Sequence, residues 1–123
     1  PDETRELAFD TIEFNGKYLM NISLVYVTTK DSDEAALIGE ALVTESLAAS
    51  VNILGEVRSI YRWLKRTHDK AETLLIAKTS TLRADQIIDR IRSLHSYQCP
   101  CIVAWRLEEG NSAYFDWIRQ ETT

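Results

Sequence analysis

Three side chains near the end of the chain have the chemistry of a metal site. They are His95, Cys99 and Cys101. In an extended backbone Cys99 and Cys101 point to the same face, because successive side chains of a strand alternate. Thiolate and imidazole together suit copper(I) or zinc. A structural zinc centre takes four ligands, and no fourth stands nearby in the sequence. The competing reading makes Cys101 a small core residue, Cys99 a loop residue and His95 a helix-end cap or interface residue. A second cluster is basic. Arg58, Arg62, Lys65, Arg66 and Lys70 stand with His68 around Tyr61 and Trp63. Cations interleaved with aromatic rings suit RNA or an anionic metabolite. A solvated hairpin tip has the same composition. The chain has no glycine-rich phosphate loop, no Gly-x-Ser-x-Gly and no His-Glu-x-x-His.

These groups need a scaffold, and the stretch 59–79 is its centre. Two strand-like runs flank the polar segment Lys65–Lys70, which reads as the loop of a long hairpin. Tyr61 and Trp63 share one parity and so one face. The run 73–77 is apolar after its first residue, as in a strand covered on both sides. Before this hairpin, 9–14 and 18–28 read as strands around Asn15-Gly16, a strong two-residue turn signal. Asp31 stands three residues before Glu34 and marks a helix start. Ala35, Ile38, Leu42 and Ala49 form a helical stripe, so the helix is drawn over 32–49. The second central strand starts at 51, is interrupted by a bulge at Gly55 and runs to Trp63. The third spans 72–79. Ser80 or Thr81 caps a second helix with Ala84, Ile87, Ile88, Ile91 and Leu94 on its apolar stripe, closing near His95. A loop at 97–100, a strand at 101–107 and a short helix at 113–120 complete the chain.

The order β-α-β-β-α-β predicts an α+β, ferredoxin-like antiparallel sheet with two helices on one face. An extra strand precedes it and a short helix follows. Residues 1–8 are read as a flexible N-terminus and 9–123 as a single domain. Two helices cannot cover both faces of a four-stranded sheet, so the aromatic-rich later half of the chain predicts self-association in a closed ring.

The totals narrow the partners. The net charge is −5, from 14 Lys plus Arg against 19 Asp plus Glu, which argues against nucleic acid. No apolar run is long enough to span a bilayer, so no membrane partner is expected. Residues 1–19 carry five acidic residues and lack the signal-peptide pattern. Two cysteines make no disulfide framework, and a cytoplasmic location is expected.

The segments LVYVTTKDSDEA, LAASVNILGEVRSIYRW, ETLLIAKT, HSYQCP and GNSAYFDWI follow one another at spacings that resemble the CutA divalent-cation tolerance family from Met20 to Glu121. The resemblance implies a ferredoxin-like subunit that forms a homotrimer through extended strands, an architecture similar to that of the PII signalling proteins. It implies an association with copper and other divalent metals and no enzymatic activity. Tyr61, Trp63, Glu72, Lys78, His95, Tyr97, Tyr114 and Trp117 stand where the family has the same residues. The chain departs at Ser50, where a cysteine is usual, and near Gly55, where a proline is usual. It also departs at Lys65-Arg66 in place of Gly-Lys, at Ser96 in place of proline, and at Cys101 in place of a frequent acidic residue. A metal role that needs a thiol at position 50 is therefore lost.

Glu72, Lys78, His95 and Tyr97, if brought into one cleft, have the chemistry to move protons or hold a small anion. The same set also makes an ion-paired subunit boundary. The function expected is a non-enzymatic homotrimer that binds a divalent metal ion or small anionic ligand and supports metal tolerance or signalling. The alternatives are a structural adaptor and a small enzyme using Glu72, Lys78 and His95.

Overall fold

The computed structural model describes residues 21–123 in full, and Glu13–Phe14 and Lys17–Tyr18 by their strand pairing. The expected flexible segment 1–8 and the first part of the leading strand, 9–12, lie outside the described residues. Glu13–Phe14 (β1) and Lys17–Tyr18 (β2) pair antiparallel on either side of Asn15-Gly16, as a separate two-stranded sheet.

The main sheet has four antiparallel strands. They are β3 (Ile22–Thr29), β4 (Ser50–Trp63), β5 (Arg66–Ser80) and β6 (Ile102–Leu107), in the spatial order β4-β5-β3-β6. Helices α1 (Ser32–Thr44) and α2 (Ala84–Leu94) are the β3–β4 and β5–β6 connections. This is the ferredoxin-like order expected from the sequence. Val25 and Val27 of β3 and Leu75 and Ala77 of β5 face Ala35, Ile38 and Leu42 of α1 and Ile87 and Ile91 of α2, all fully buried. Each of the larger side chains contributes about 1.5–3 kcal/mol by leaving water. α1 lies so close to the sheet at Gly39 that a Cβ there would stand 2.9 Å from Val51 Cγ2.

A third helix, α3 (Ser112–Glu121), is capped by the Asn111 side chain, which accepts the Ala113 N–H. It covers one end of the opposite face. There Ile118 and Phe115 pack with Ile22, Ala49 and Leu107.

α1 is shorter than its apolar stripe. Ser46 takes a positive φ of 59°, and the N–H groups of Leu47 and Ala48 turn back to the Leu42 carbonyl at 2.9 and 3.1 Å. The left-handed residue ends the helix where glycine usually does so. Ala49, placed on the stripe by its spacing, packs instead with Ile22 and Ile118. Neither Ser80 nor Thr81 caps α2. Their hydroxyls bond Thr122 and Ser23, and a 3-10 turn at Thr81–Arg83 leads into the helix.

The largest departure is at the hairpin tip. Residues 66–70 are strand, and the turn is the pair Leu64-Lys65, with φ of 52° and 65°. Positive φ at both positions is the two-residue turn whose twist matches a hairpin. Cross-strand pairs hold the polar residues in the ladder. Arg58 makes a two-pronged contact with Asp69 at 2.6 and 2.9 Å, and His68 stacks on Tyr61 at 5.2 Å.

The start of α1 is a charged cap. Asp31 Oδ1 accepts the Glu34 N–H at 2.9 Å, as the sequence spacing predicts. The Glu34 carboxylate reaches one residue further back, to the Lys30 N–H at 2.9 Å, and across to the Ser96 N–H at 2.8 Å. Burial alone would raise this carboxyl, but the bonds from Lys30 and Ser96 hold it below the usual carboxylate range.

Two consequences are measurable. Lys65→Gly removes the left-handed strain of an L-residue and is expected to stabilise the fold by about 0.5–1 kcal/mol in urea denaturation. A loss of stability would refute this turn geometry. A carboxyl held low in the folded state stabilises above its unfolded pKa, and that contribution disappears as pH falls through the folded value. Glu34→Gln is therefore expected to cost about 1.5–3 kcal/mol at pH 7. The gap to the parent should close at strongly acid pH. A gap independent of pH would show that the charge contributes nothing.

Candidate ligand-binding cleft on the open sheet face

The cleft exists because β4 holds one residue more than its partner. Leu54 pairs with Leu74, but Val57 pairs with Glu72, so the bulge falls at Gly55-Glu56, where the sequence predicts it. Before the bulge the even residues Asn52 and Leu54 lie on the face away from α1 and α2. After it the odd residues Ser59, Tyr61 and Trp63 lie there, beside Lys70 and Glu72 of β5. Tyr26 and Thr28 of β3 continue this surface, and the loop after α2 closes it with Tyr97, Gln98, Cys99 and Cys101. The resulting cavity has a volume of about 480 Å³.

Glu72 is only 6% exposed, and its Oε2 accepts the Tyr97 hydroxyl at 2.7 Å. Lys70 Nζ lies over two rings, 4.3 Å from the centroid of Tyr97 and 5.7 Å from that of Tyr61. Both distances are within cation–π range. The phenol oxygens of Tyr97 and, to a smaller extent, Tyr61 push the ammonium pKa up. Burial, then the Glu72 carboxylate, raises the Tyr97 phenol, against the opposing pull of Lys70. Tyr97 thus remains a hydrogen-bond donor and Lys70 a cation.

His95 sits behind this wall with a fully buried side chain. Its Nδ1 accepts the Tyr97 N–H at 3.1 Å, so the ring hydrogen belongs to Nε2, which donates to the Thr28 carbonyl at 2.8 Å. Glu34 Oε1 lies 4.0 Å from Nδ1. Both ring nitrogens are committed, so the structure does not offer His95 to Cys99 and Cys101 as a third metal ligand. The two thiols are free and exposed at the cleft. Among the described residues no three His, Cys, Asp or Glu side chains gather to hold a metal. The described residues of this chain therefore do not gather the ligands of a resident copper or zinc ion.

The expected set of Glu72, Lys78, His95 and Tyr97 divides. Glu72, Tyr97 and His95 are linked by contacts, whereas Lys78 bonds Asn52 Oδ1 beyond the bulge. Six residues of extended strand separate it from Glu72, about 20 Å. Lys70 stands at the cleft instead. Read as loop, residues 66–70 hide its alternation with Glu72; read as strand, they reveal it. Tyr114 and Trp117 stack on each other at 5.5 Å on α3 and do not line the cleft. The basic cluster also divides, because Arg58 and Arg62 lie on the face opposite Tyr61, Trp63 and Lys70. No helix of the described residues is long and apolar enough to cross a membrane.

The family model for the CutA1 divalent ion tolerance protein matches residues 23–121. The divalent-cation tolerance protein CutA of Thermus thermophilus is 41% identical over 99 residues, 80% of this chain and 96% of that protein. Human protein CutA is 33% identical over 102 residues, 83% of this chain but 57% of the human protein's length. A solved structure of the Thermus thermophilus protein has a TM-score of 0.80 at 40% identity, covering 83% of this chain and 99% of its own. That of Archaeoglobus fulgidus, described as a periplasmic divalent cation tolerance protein, has a TM-score of 0.80 at 30% identity and the same coverage of both chains. The fold is thus shared with solved relatives over most of the chain, and the chain belongs to the CutA1 divalent ion tolerance family.

Proposed function

We propose that this protein is a non-enzymatic, cytoplasmic homotrimer. Its open-face cleft receives a small ligand at a subunit boundary, in the service of divalent-cation tolerance or signalling. The observation that carries this reading is the uncovered surface. Among the described residues, 66–72 of β5 pair only with β4, since β3 begins its pairing at Thr73. A two-stranded ribbon is marginal on its own. Ile60 at 62%, Trp63 at 41% and Leu64 at 80% exposure sit on it. On the sheet face that α3 leaves open, Leu54, Val103 and Trp105 are also exposed. Such a surface on three copies is buried by closing a ring.

The committed nitrogens of His95 support a non-enzymatic role, since the ring is not placed to exchange protons with a ligand. A second reading is favoured by the two exposed thiols on one cleft. In it Cys99 and Cys101 capture a soft metal ion, with further ligands supplied by a neighbouring copy.

Light scattering at micromolar concentration is expected to give three times the chain mass, and a monomer would overturn the assembly. Trp63→Ala is expected to weaken it by about 3–5 kcal/mol. An unchanged association constant would remove Trp63 from the contact. For the second reading, Cys99→Ser with Cys101→Ser is expected to abolish zinc binding in calorimetry. Unchanged affinity would discard the thiols as ligands.

A further inference from the structure

We propose that the cleft is built for a small zwitterion, a molecule with an ammonium and a carboxylate on an apolar, aromatic body such as a free aromatic amino acid. This rests on the reading of the cleft as a ligand site and adds the class of ligand.

The charge inventory carries it. Apart from tyrosines and thiols, the described residues of this chain bring one cation, Lys70, and one anion, Glu72, to the lining. They stand two residues apart on β5, so their side chains leave the same face of the sheet with Cα atoms about 7 Å apart. They are not spent on each other. Glu72 gives Oε2 to Tyr97, while Oε1 has no hydrogen bond among the described residues. Glu72 as a residue is more than nine-tenths buried, and this oxygen opens into the cavity, so it is an acceptor held ready for a ligand. None of the ion pairs of the described residues includes Lys70, whose ammonium rests on the rings of Tyr61 and Tyr97. Its N–H donors therefore have no carboxylate acceptor.

A ligand with only a negative group would lie against the buried Glu72 carboxylate. A ligand with only a positive group would lie against Lys70. A molecule with both satisfies both, its ammonium on Glu72 Oε1 and its carboxylate on Lys70. Tyr26, Tyr61 and Trp63 then face its apolar body. The volume is within the roughly 300–1,000 Å³ usual for small-molecule sites.

Calorimetry on the full chain with three probes tests this. L-phenylalanine carries both charges, phenylacetate the carboxylate alone and phenethylamine the ammonium alone. L-phenylalanine is expected to bind at least tenfold more tightly than either partial analogue. Glu72→Gln should weaken L-phenylalanine at least tenfold without weakening phenylacetate, and Lys70→Met should weaken both. Lys70 is exposed, so its variant keeps the test usable should the buried Glu72→Gln fail to fold. Phenylacetate binding as tightly as L-phenylalanine would make this an anion site and overturn the proposal, and equal binding of phenethylamine would do the same. Binding of none of the three to protein that light scattering finds trimeric would overturn the zwitterion while leaving the assembly standing. A monomer that still prefers L-phenylalanine would overturn the assembly alone.

Discussion

The register of β4 against β5 is the constraint on which the rest depends. These two strands share the longest ladder in the molecule, and they serve two surroundings. From Ser50 to Leu54 the pair is part of a covered sheet whose inner face meets α1. From Val57 to Trp63 it is a ribbon that pairs with no third strand among the described residues. The extra residue at Gly55-Glu56 lets one strand obey both regimes. It rotates the side-chain alternation by one step, so that Tyr61 and Trp63 join the face carrying Tyr26 and Glu72 instead of the face carrying Arg58 and Arg62.

A second set of contacts ties the cleft to the body. Glu34, buried at the start of α1, accepts backbone N–H groups from Lys30 and from Ser96 in the loop after α2. His95 spans the same gap from Tyr97 to the Thr28 carbonyl on β3. Tyr97 is thereby fixed by its backbone before its hydroxyl reaches Glu72. The charged and polar residues that sequence patterns offer as chemistry are here mostly a brace. His95 orients Tyr97, and Tyr97 in turn orients Glu72 and the ring beneath Lys70.

The architecture was legible because its signals are local and repeated. The apolar runs of β3 and β5, the Asp31 cap and the stripe of α2 each follow from period and capping chemistry, and Gly55 marked the bulge. The tip of the hairpin was not legible. Leu64-Lys65 lacks the asparagine or glycine that announces a two-residue turn, and the polar run after it resembles a loop until cross-strand partners such as Asp69 and His68 are known. The end of α1 is hidden for a similar reason, since Ser46 adopts a conformation that its identity does not advertise. At the cleft, Glu72 and Tyr97 are in contact, but the lysine beside them is Lys70 and not Lys78. Which lysine faces Tyr97 depends on strand length and on where the opposing loop returns. Neither quantity is written in residue types.

The bulge also divides the chain into places where length matters and places where it does not. A pair of residues added symmetrically near Leu64-Lys65 would only make the ribbon longer, with every side chain still pointing as before. One residue lost at Gly55-Glu56 would turn the distal ribbon inside out, presenting guanidinium groups where the indole and phenol now stand. Insertions and deletions along this hairpin are therefore judged by parity as much as by size, and a single codon at its midpoint outweighs several at its end.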